Sequence, residues 1–424
     1  MNIFSKKILS NSLWMMVEKC VSIFGLIFVT SYVAKYLGPT NFGKIAFTAT
    51  LFGFVQTLTW FGNQEILFKR VSRNPNSGLR YLFGTQNLRK ILFLTCTVPI
   101  LLGLYYYSDF LTLIFGIATA LAAYFVTQDI YTIYNNAVLH SYINAIVNVI
   151  GLGVALIVRY LIVFLELDYV FLGIPIVLTA LIPYLIKKYI FNRNQQLNSI
   201  SLKTYRKYYL GAGSALVLSA LAVTLYTQVT SLMLVALTST RELGIYAVAV
   251  TLGMSWAFIN TSIITSVLSR IYQEKNKYQS YMMVAKLNTV IILVSLGVVF
   301  ILVVVGQWLV NIFYGNAYLE AYKLIVILGV ATLCSGLGTI SARFLIKEEG
   351  YSYISKKMMC VALSALPISY LMIYNFGLIG AAYSVLLIEL LSLTLFNYFY
   401  KNGLLFKIHF FPFFKNSLKS QSLG

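Results

Sequence analysis

Long apolar runs alternate with short polar breaks along the whole chain. Twelve runs read as helices: 12–34, 43–67, 88–107, 110–134, 143–165, 169–191, 210–237, 243–269, 284–310, 322–346, 354–375 and 377–399. About 20 apolar residues in a helix span the hydrocarbon core of a bilayer, and each run reaches that length. The alternating ten-residue segments of a membrane β-barrel are absent. The pattern predicts an all-α polytopic membrane protein with about twelve transmembrane helices.

One polar break occurs twice. Between the first two runs the chain reads Tyr36-Leu37-Gly38-Pro39-Thr40-Asn41-Phe42-Gly43, and the next helix then opens with Ile45 and Ala46. Arg241-Glu242-Leu243-Gly244-Ile245-Tyr246-Ala247 resembles it, with Gly244 lying 201 residues after Gly43 and Ala247 the same distance after Ala46. A weaker echo pairs Leu172-Gly173 with Ile379-Gly380. The longest polar break, Asn192 to Lys207, falls between the two copies. Two similar halves follow: residues 1–200 as an N-terminal six-helix bundle, and 201–424 as a C-terminal six-helix bundle carrying a basic aromatic tail. Internal repeats of this kind build transporters with a site near the membrane midplane, here a central cleft between the halves.

Charge then orients the chain. Only 10% of residues are charged, yet the net charge is +20. In a soluble protein such an excess points to nucleic acid. Here the basic residues gather in alternate loops, including Lys69, Arg70, Arg73, Arg80, Arg89 and Lys90, then Lys187, Lys188, Arg193, Lys203, Arg206 and Lys207. The intervening connections carry few. The positive-inside rule places both termini in the cytoplasm, and no nucleic-acid partner is needed to explain the excess. Lys6 and Lys7 precede the first run, but no small-residue cleavage site follows, so that helix is expected to be retained. Phe406, Phe410, Phe411, Phe413 and Phe414 mix with lysines in the tail, either as a segment lying in the interface or as a disordered basic end.

Ionisable groups inside the spans are the only chemistry on offer. A charge at the bilayer centre costs at least about 2.5–3.5 kcal/mol, so such groups face a cavity or a partner. Glu18 and Lys19 lie early in the first span, Asp129 sits in a polar stretch of the fourth, and Glu389 stands in the middle of the last. The three acids are candidates for a coupling ion, H⁺ or Na⁺, with buried structural pairing as the other reading. Lys19, Lys35, Lys69, Arg159 and Arg241 are candidate contacts for an anionic substrate. For Arg159, snorkelling to the surface is the alternative; for Lys69, a local pair with Glu65 one turn earlier; for Lys35 and Arg241, a solvated loop. The four cysteines and two histidines lie singly, with no metal-ligand spacing. There is no Walker A loop, no His-Glu-x-x-His and no Gly-x-Ser-x-Gly, so neither covalent catalysis nor a cofactor is expected.

These features together resemble a known group. Asn11-Ser12-Leu13-Trp14 with Glu18-Lys19, Tyr36-Leu37-Gly38-Pro39, Gly244-Ile245-Tyr246-Ala247 and Gly377-Leu378-Ile379-Gly380-Ala381-Ala382 are similar to the O-antigen flippases (Wzx type). That group belongs to the superfamily that also holds multidrug-and-toxin extrusion proteins and lipid II flippases. The chain departs from it at Thr230, where many members carry an Asp in the seventh helix. The resemblance implies a flippase in the bacterial inner membrane, moving a polyprenyl-diphosphate-linked oligosaccharide (a repeat unit of O antigen, capsule or exopolysaccharide) to the outer leaflet by alternating access. Membrane lipids and a polysaccharide polymerase are the implied partners. A cation-coupled multidrug antiporter of the same superfamily is the alternative.

Overall fold

A computed structural model of the chain describes residues 6–61, 63–194 and 203–421, and these are almost wholly helical, with no strand among them. The seam expected near residue 200 lies outside the described residues. Nine helices among the described residues are long and apolar enough to cross a membrane. One of them, 352–398, holds two of the runs expected from the sequence, 354–375 and 377–399. By contacts the chain divides into two compact units, residues 1–224 and 225–424.

The first unit opens with α1 (Lys6–Trp60), followed by α2 (Asn63–Arg73), α3 (Pro75–Gly84), α4 (Gln86–Tyr107) and α5 (Phe110–Gln128). Then come α6 (Ile130–Ala137), α7 (Ser141–Phe164), α8 (Gly173–Asn194) and α9 (Lys203–Leu237), whose last turns belong to the second unit. α1 is broken at Gly38, whose backbone (φ 69°, ψ 168°) is one that only glycine adopts without strain. Pro39 follows and has no N–H to rejoin the helix. The repeated motif meets a break here too. Ser239, 201 residues after Gly38, caps α10 (Thr240–Met254) by accepting the Glu242 N–H at 3.3 Å. The two breaks use different chemistry at equivalent places, a glycine in one and a serine cap in the other.

Within the first unit α1 packs on α5 and α7, and α8 packs on α5 and α7. α7 and α8 approach closely where Gly151 meets Pro183; a Cβ on Gly151 would stand 2.5 Å from the proline ring. Small residues permit such contacts between membrane helices, where dispersion rather than water exclusion drives packing. Trp60, Tyr81, Tyr131, Phe191 and Tyr209 form a buried aromatic core at the α1–α2 break. Tyr209 donates to the carbonyls of Thr59 and Trp60, both at 2.9 Å, and so satisfies a helix end that the break would otherwise leave bare.

The second unit continues with α11 (Ala257–Gln273), α12 (Lys277–Tyr314), α13 (Ala321–Lys347) and α14 (Tyr351–Leu393). It ends in α15 (Leu395–Tyr398), α16 (Leu404–His409) and α17 (Phe411–Gln421). α14 breaks at Gly377 (φ 55°). α12 leaves Leu293, Phe300, Val304 and Trp308 exposed, the surface expected of a helix against lipid. Thr230 lies fully buried with its hydroxyl 3.2 Å from Ser369 and 3.3 Å from Ser384. A neutral hydroxyl cluster thus fills the position where the resemblance would allow an acid. The tail is helical and packs on α12: Leu404, Leu405 and Ile408 enter the core, and the His409 ring lies 3.2 Å from both Ser341 and Tyr398.

Candidate functional site

Asp129 stands in the break between α5 and α6, where its backbone (φ −76°, ψ 73°) leaves the helical path. Its carboxylate caps α6. Oδ1 accepts the Thr132 N–H at 3.1 Å, and Oδ2 accepts the Thr132 hydroxyl at 2.8 Å. A carboxylate at a helix start is favoured both by the bare N–H groups and by the helix dipole.

Lys187 of α8 completes the site. Its Nζ donates to Asp129 Oδ2 at 2.9 Å and to Thr132 Oγ1 at 2.8 Å. The lysine side chain is 2% exposed and the aspartate 14%, so the pair is largely out of solvent. The α6–α7 corner is braced by amides: Asn144 donates to the Thr132 carbonyl at 3.0 Å and to Asn136 Oδ1 at 2.9 Å, and accepts from Asn135 at 2.9 Å. Thr132 is therefore fixed from both sides. Lys187 is placed by Pro183, one turn before it on α8, at the contact with Gly151.

The pair lines a cavity of about 350 Å³ together with Thr132, Asn148, Thr179 and Gln64. Trp60, Gln64 and Val126 also line a second cavity, of about 440 Å³, which is closed by Gln56, Thr57 and Thr224. Both lie within the ordinary size range of small-molecule sites. The indole of Trp60 rests on the guanidinium of Arg89, whose carbon lies 5.4 Å from the ring centroid. Arg89 is fully buried, donates to Thr85 Oγ1 at 2.9 Å and to the Leu82 carbonyl at 3.2 Å, and makes no salt bridge among the described residues. It ties the end of α3 to the wall of the cavities.

The second unit holds Glu389 half-buried on α14, hydrogen-bonded to Ser335 of α13 and near Lys357. The lysine does not close on it. Lys357 is buried and donates to Asn397 Oδ1 at 2.9 Å, and Glu389 has no salt bridge among the described residues.

The remaining sequence candidates are scattered. Lys35 and Lys69 are exposed on α1 and α2, and Arg159 is half-buried on α7 without a salt bridge among the described residues. Arg241 pairs with Glu320 at 3.1 Å, with both side chains about half exposed. Glu18, Lys19 and Glu65 lie outside the residues whose side chains are described. Of the candidates whose side chains are described, Asp129 lines one of these two cavities and the others line neither. Loop counting assigns Lys187 to a basic connection, and Trp60, Gln56 and Gln64 are not among the sequence candidates at all. A signal exists: Gln56, Trp60 and Gln64 recur every four residues, the spacing of one helix face. Among the described residues no three His, Cys, Asp or Glu side chains gather as metal ligands.

A half-buried acid, a tethered cation and amide-lined cavities inside a bundle of membrane helices suit a membrane protein that handles a polar solute. The chain belongs to the polysaccharide biosynthesis protein family, whose model matches residues 8–269. Its fold is that of transporters and flippases. The lipid II flippase MurJ in its inward closed conformation superposes with a TM-score of 0.71 at 14% identity, over 95% of this chain and 90% of that one. An inward-facing multidrug resistance MATE family transporter of the MOP superfamily gives 0.64 at 12% identity, over 93% and 96%. A MOP superfamily transporter from Pyrococcus furiosus gives 0.55 at 14% identity, over 98% and 96%. No curated protein matches the chain.

Proposed function

We propose that this protein is a flippase that carries polyprenyl-diphosphate-linked oligosaccharide repeat units from the cytoplasmic to the outer leaflet of the bacterial inner membrane. The observation that carries the reading is the Lys187–Asp129–Thr132 arrangement at a cavity in the first unit. A diphosphate cannot cross hydrocarbon bare, because an unpaired anion is expensive to desolvate. Lys187 offers it a cation, and Thr132 and Asn148 offer further polar groups. Asp129 already pairs the lysine, so its charge is not buried alone, and a substrate anion would take over that role. The family match to polysaccharide biosynthesis proteins supports the saccharide part of the substrate.

The basic loops support cytoplasmic termini. Outward movement of an anionic head is also aided by an inside-negative potential, by about 2.3 kcal/mol per charge per 100 mV. Glu389, which has no salt bridge among the described residues, is the coupling-ion candidate in the second unit. In the first unit a multidrug antiporter would need an acid open to its driving ion, and there Asp129 is held by Lys187, so the first unit favours an anion site over a cation site.

Deletion tests the reading. Lipid-linked repeat units are expected to accumulate on the inner leaflet and surface polysaccharide to disappear, with rescue by the wild-type gene but not by Lys187→Met. Normal surface polymer together with new drug sensitivity would replace this reading with the antiporter.

A further inference from the structure

The two cavities of the first unit differ in charge. The one at Lys187 and Asp129 carries both ionisable groups. Its neighbour has none: its polar lining is Gln56, Thr57, Gln64 and Thr224, beside the indole of Trp60. Thr57 and Thr224 stand with their hydroxyls 2.9 Å apart, while the carboxamides of Gln56 and Gln64 make no hydrogen bond within the protein among the described residues.

Carboxamides offer two donors and a two-lone-pair acceptor each, and hydroxyls offer both roles. Such a set matches groups that donate and accept at once, as sugar hydroxyls and acetamido groups do. The indole of Trp60, 5% exposed and held against Arg89, adds a rigid apolar contact at the cavity wall for the C–H groups of a sugar. A prenyl chain would cover the carboxamides of Gln56 and Gln64 without bonding them, whereas a sugar can bond both; Thr57 and Thr224 are already satisfied by each other and by the carbonyls of Gly53 and Ala220. A carboxylate would find no cation in this lining, and burying an unpaired charge is far more costly than burying a hydrogen-bonded neutral group.

We propose that the cavity bounded by Gln56, Thr57, Gln64 and Thr224 is a subsite for an uncharged sugar ring joined to the diphosphate, and that it selects against a uronic acid at that position. The assignment rests on the flippase reading above. The shared wall of Trp60, Gln64 and Val126 sets the sugar directly beside the anion site, as a glycosyl diphosphate requires.

The test uses the purified full-length protein and three short-chain prenyl diphosphates: one bare, one bearing a neutral N-acetylhexosamine and one bearing a hexuronic acid. Binding is followed by calorimetry. The neutral sugar is expected to tighten binding at least tenfold over the bare diphosphate, and the uronic acid to add nothing. Gln56→Leu with Thr57→Val should remove the sugar increment while leaving affinity for the bare diphosphate unchanged. Gln64→Lys, at an exposed side chain shared with the anion cavity, should reverse the preference, so that within this variant the uronic acid binds at least tenfold tighter than the bare diphosphate, a gain that neither misfolding nor a general attraction for diphosphate can produce. Equal binding of neutral and acidic sugars by wild type, or a sugar increment that survives the double substitution, would overturn the subsite while leaving the flippase reading intact. Failure of all three lipids to bind would overturn both.

Discussion

Asp129→Asn and Lys187→Met separate what the buried pair does for stability from what it does for transport. The asparagine variant keeps the cap, because a carboxamide oxygen still accepts the Thr132 N–H, but an NH2 donor replaces the Oδ2 that accepts from the Thr132 hydroxyl and Lys187, so the charge and that acceptor are lost together. What remains is a lysine ammonium 2% exposed with only Thr132 to receive it. Lys187→Met leaves the converse, a carboxylate 14% exposed with its two Thr132 hydrogen bonds but no cation. Removing one partner from a buried pair costs about 3–5 kcal/mol, because the other charge stays desolvated. At the roughly 2–4 °C per kcal/mol of a unit of some 200 residues, that corresponds to a fall in the unfolding midpoint on the order of 10 °C. The double variant Asp129→Asn with Lys187→Met buries no charge, and its midpoint should return to within about 3 °C of wild type, since replacing a whole buried pair is close to neutral. Thermal unfolding in one detergent, across the four proteins, reads the cycle. Export of surface polysaccharide by the same four in a deletion strain reads function. The expected result is that the double variant recovers stability but not export. If it recovers both, the pair is a structural brace, and Lys187 has no part in holding an anion. If the single variants lose less than about 1 kcal/mol, the pair behaves as a solvated surface pair and the cost argument fails.

Three further outcomes follow from other parts of the fold. Gly38→Ala should cost about 1–3 kcal/mol through backbone strain alone, since the added Cβ meets nothing within 4 Å, whereas Gly297→Ala in the exposed run of α12 should be neutral or stabilising by up to about 1 kcal/mol; thermal unfolding distinguishes them. Burial, reinforced by Lys357, pushes the His409 imidazole down to about 4. The docked tail therefore gains nothing from this group above about pH 6.5 and is weakened as pH falls from there towards 4, by about 3 kcal/mol at the acid end, so amide protection over 404–421, taken relative to intrinsic exchange rates at each pH, should fall between about pH 7 and pH 5 in wild type and stay level in His409→Phe. Arg241→Ala should shift the unfolding midpoint by no more than about 1 kcal/mol allows, because the side chains of the Arg241–Glu320 pair are 49% and 57% exposed and screened.

The fold was legible because its signal is redundant. Each span rests on about 20 apolar residues, and a few polar exceptions do not hide it. The helix breaks were legible where a residue enforces them, as Gly38 and Gly377 do, and less so at Asp129, where nothing in Thr127-Gln128-Asp129-Ile130 forbids a continuous helix. There the break is made by tertiary contacts, the Asp129 cap and the lysine that closes on it. Charged site residues were half legible. Asp129 stood out because an acid within a span is rare, but Lys187 was hidden among basic neighbours. Lys187 and Lys188 are adjacent and point about 100° apart on α8, so one turns in to Asp129 while the other stays exposed beside Tyr184. Loop counting treats the two alike, since it records on which side of the membrane a charge lies and not towards which neighbour it turns. The neutral cavity left one faint sign, the four-residue spacing of Gln56, Trp60 and Gln64. Gln56, Thr57 and Gln64 cost little to place near a helix end, so their presence carries no alarm in a sequence, and only the packing of α1 against α5 and the Thr57–Thr224 contact with α9 show that they line one half-open cavity with Trp60. Searching a chain for expensive residues finds the part of a site that handles charge. The part that recognises uncharged sugar is built from inexpensive residues, and it becomes visible only when their positions are known.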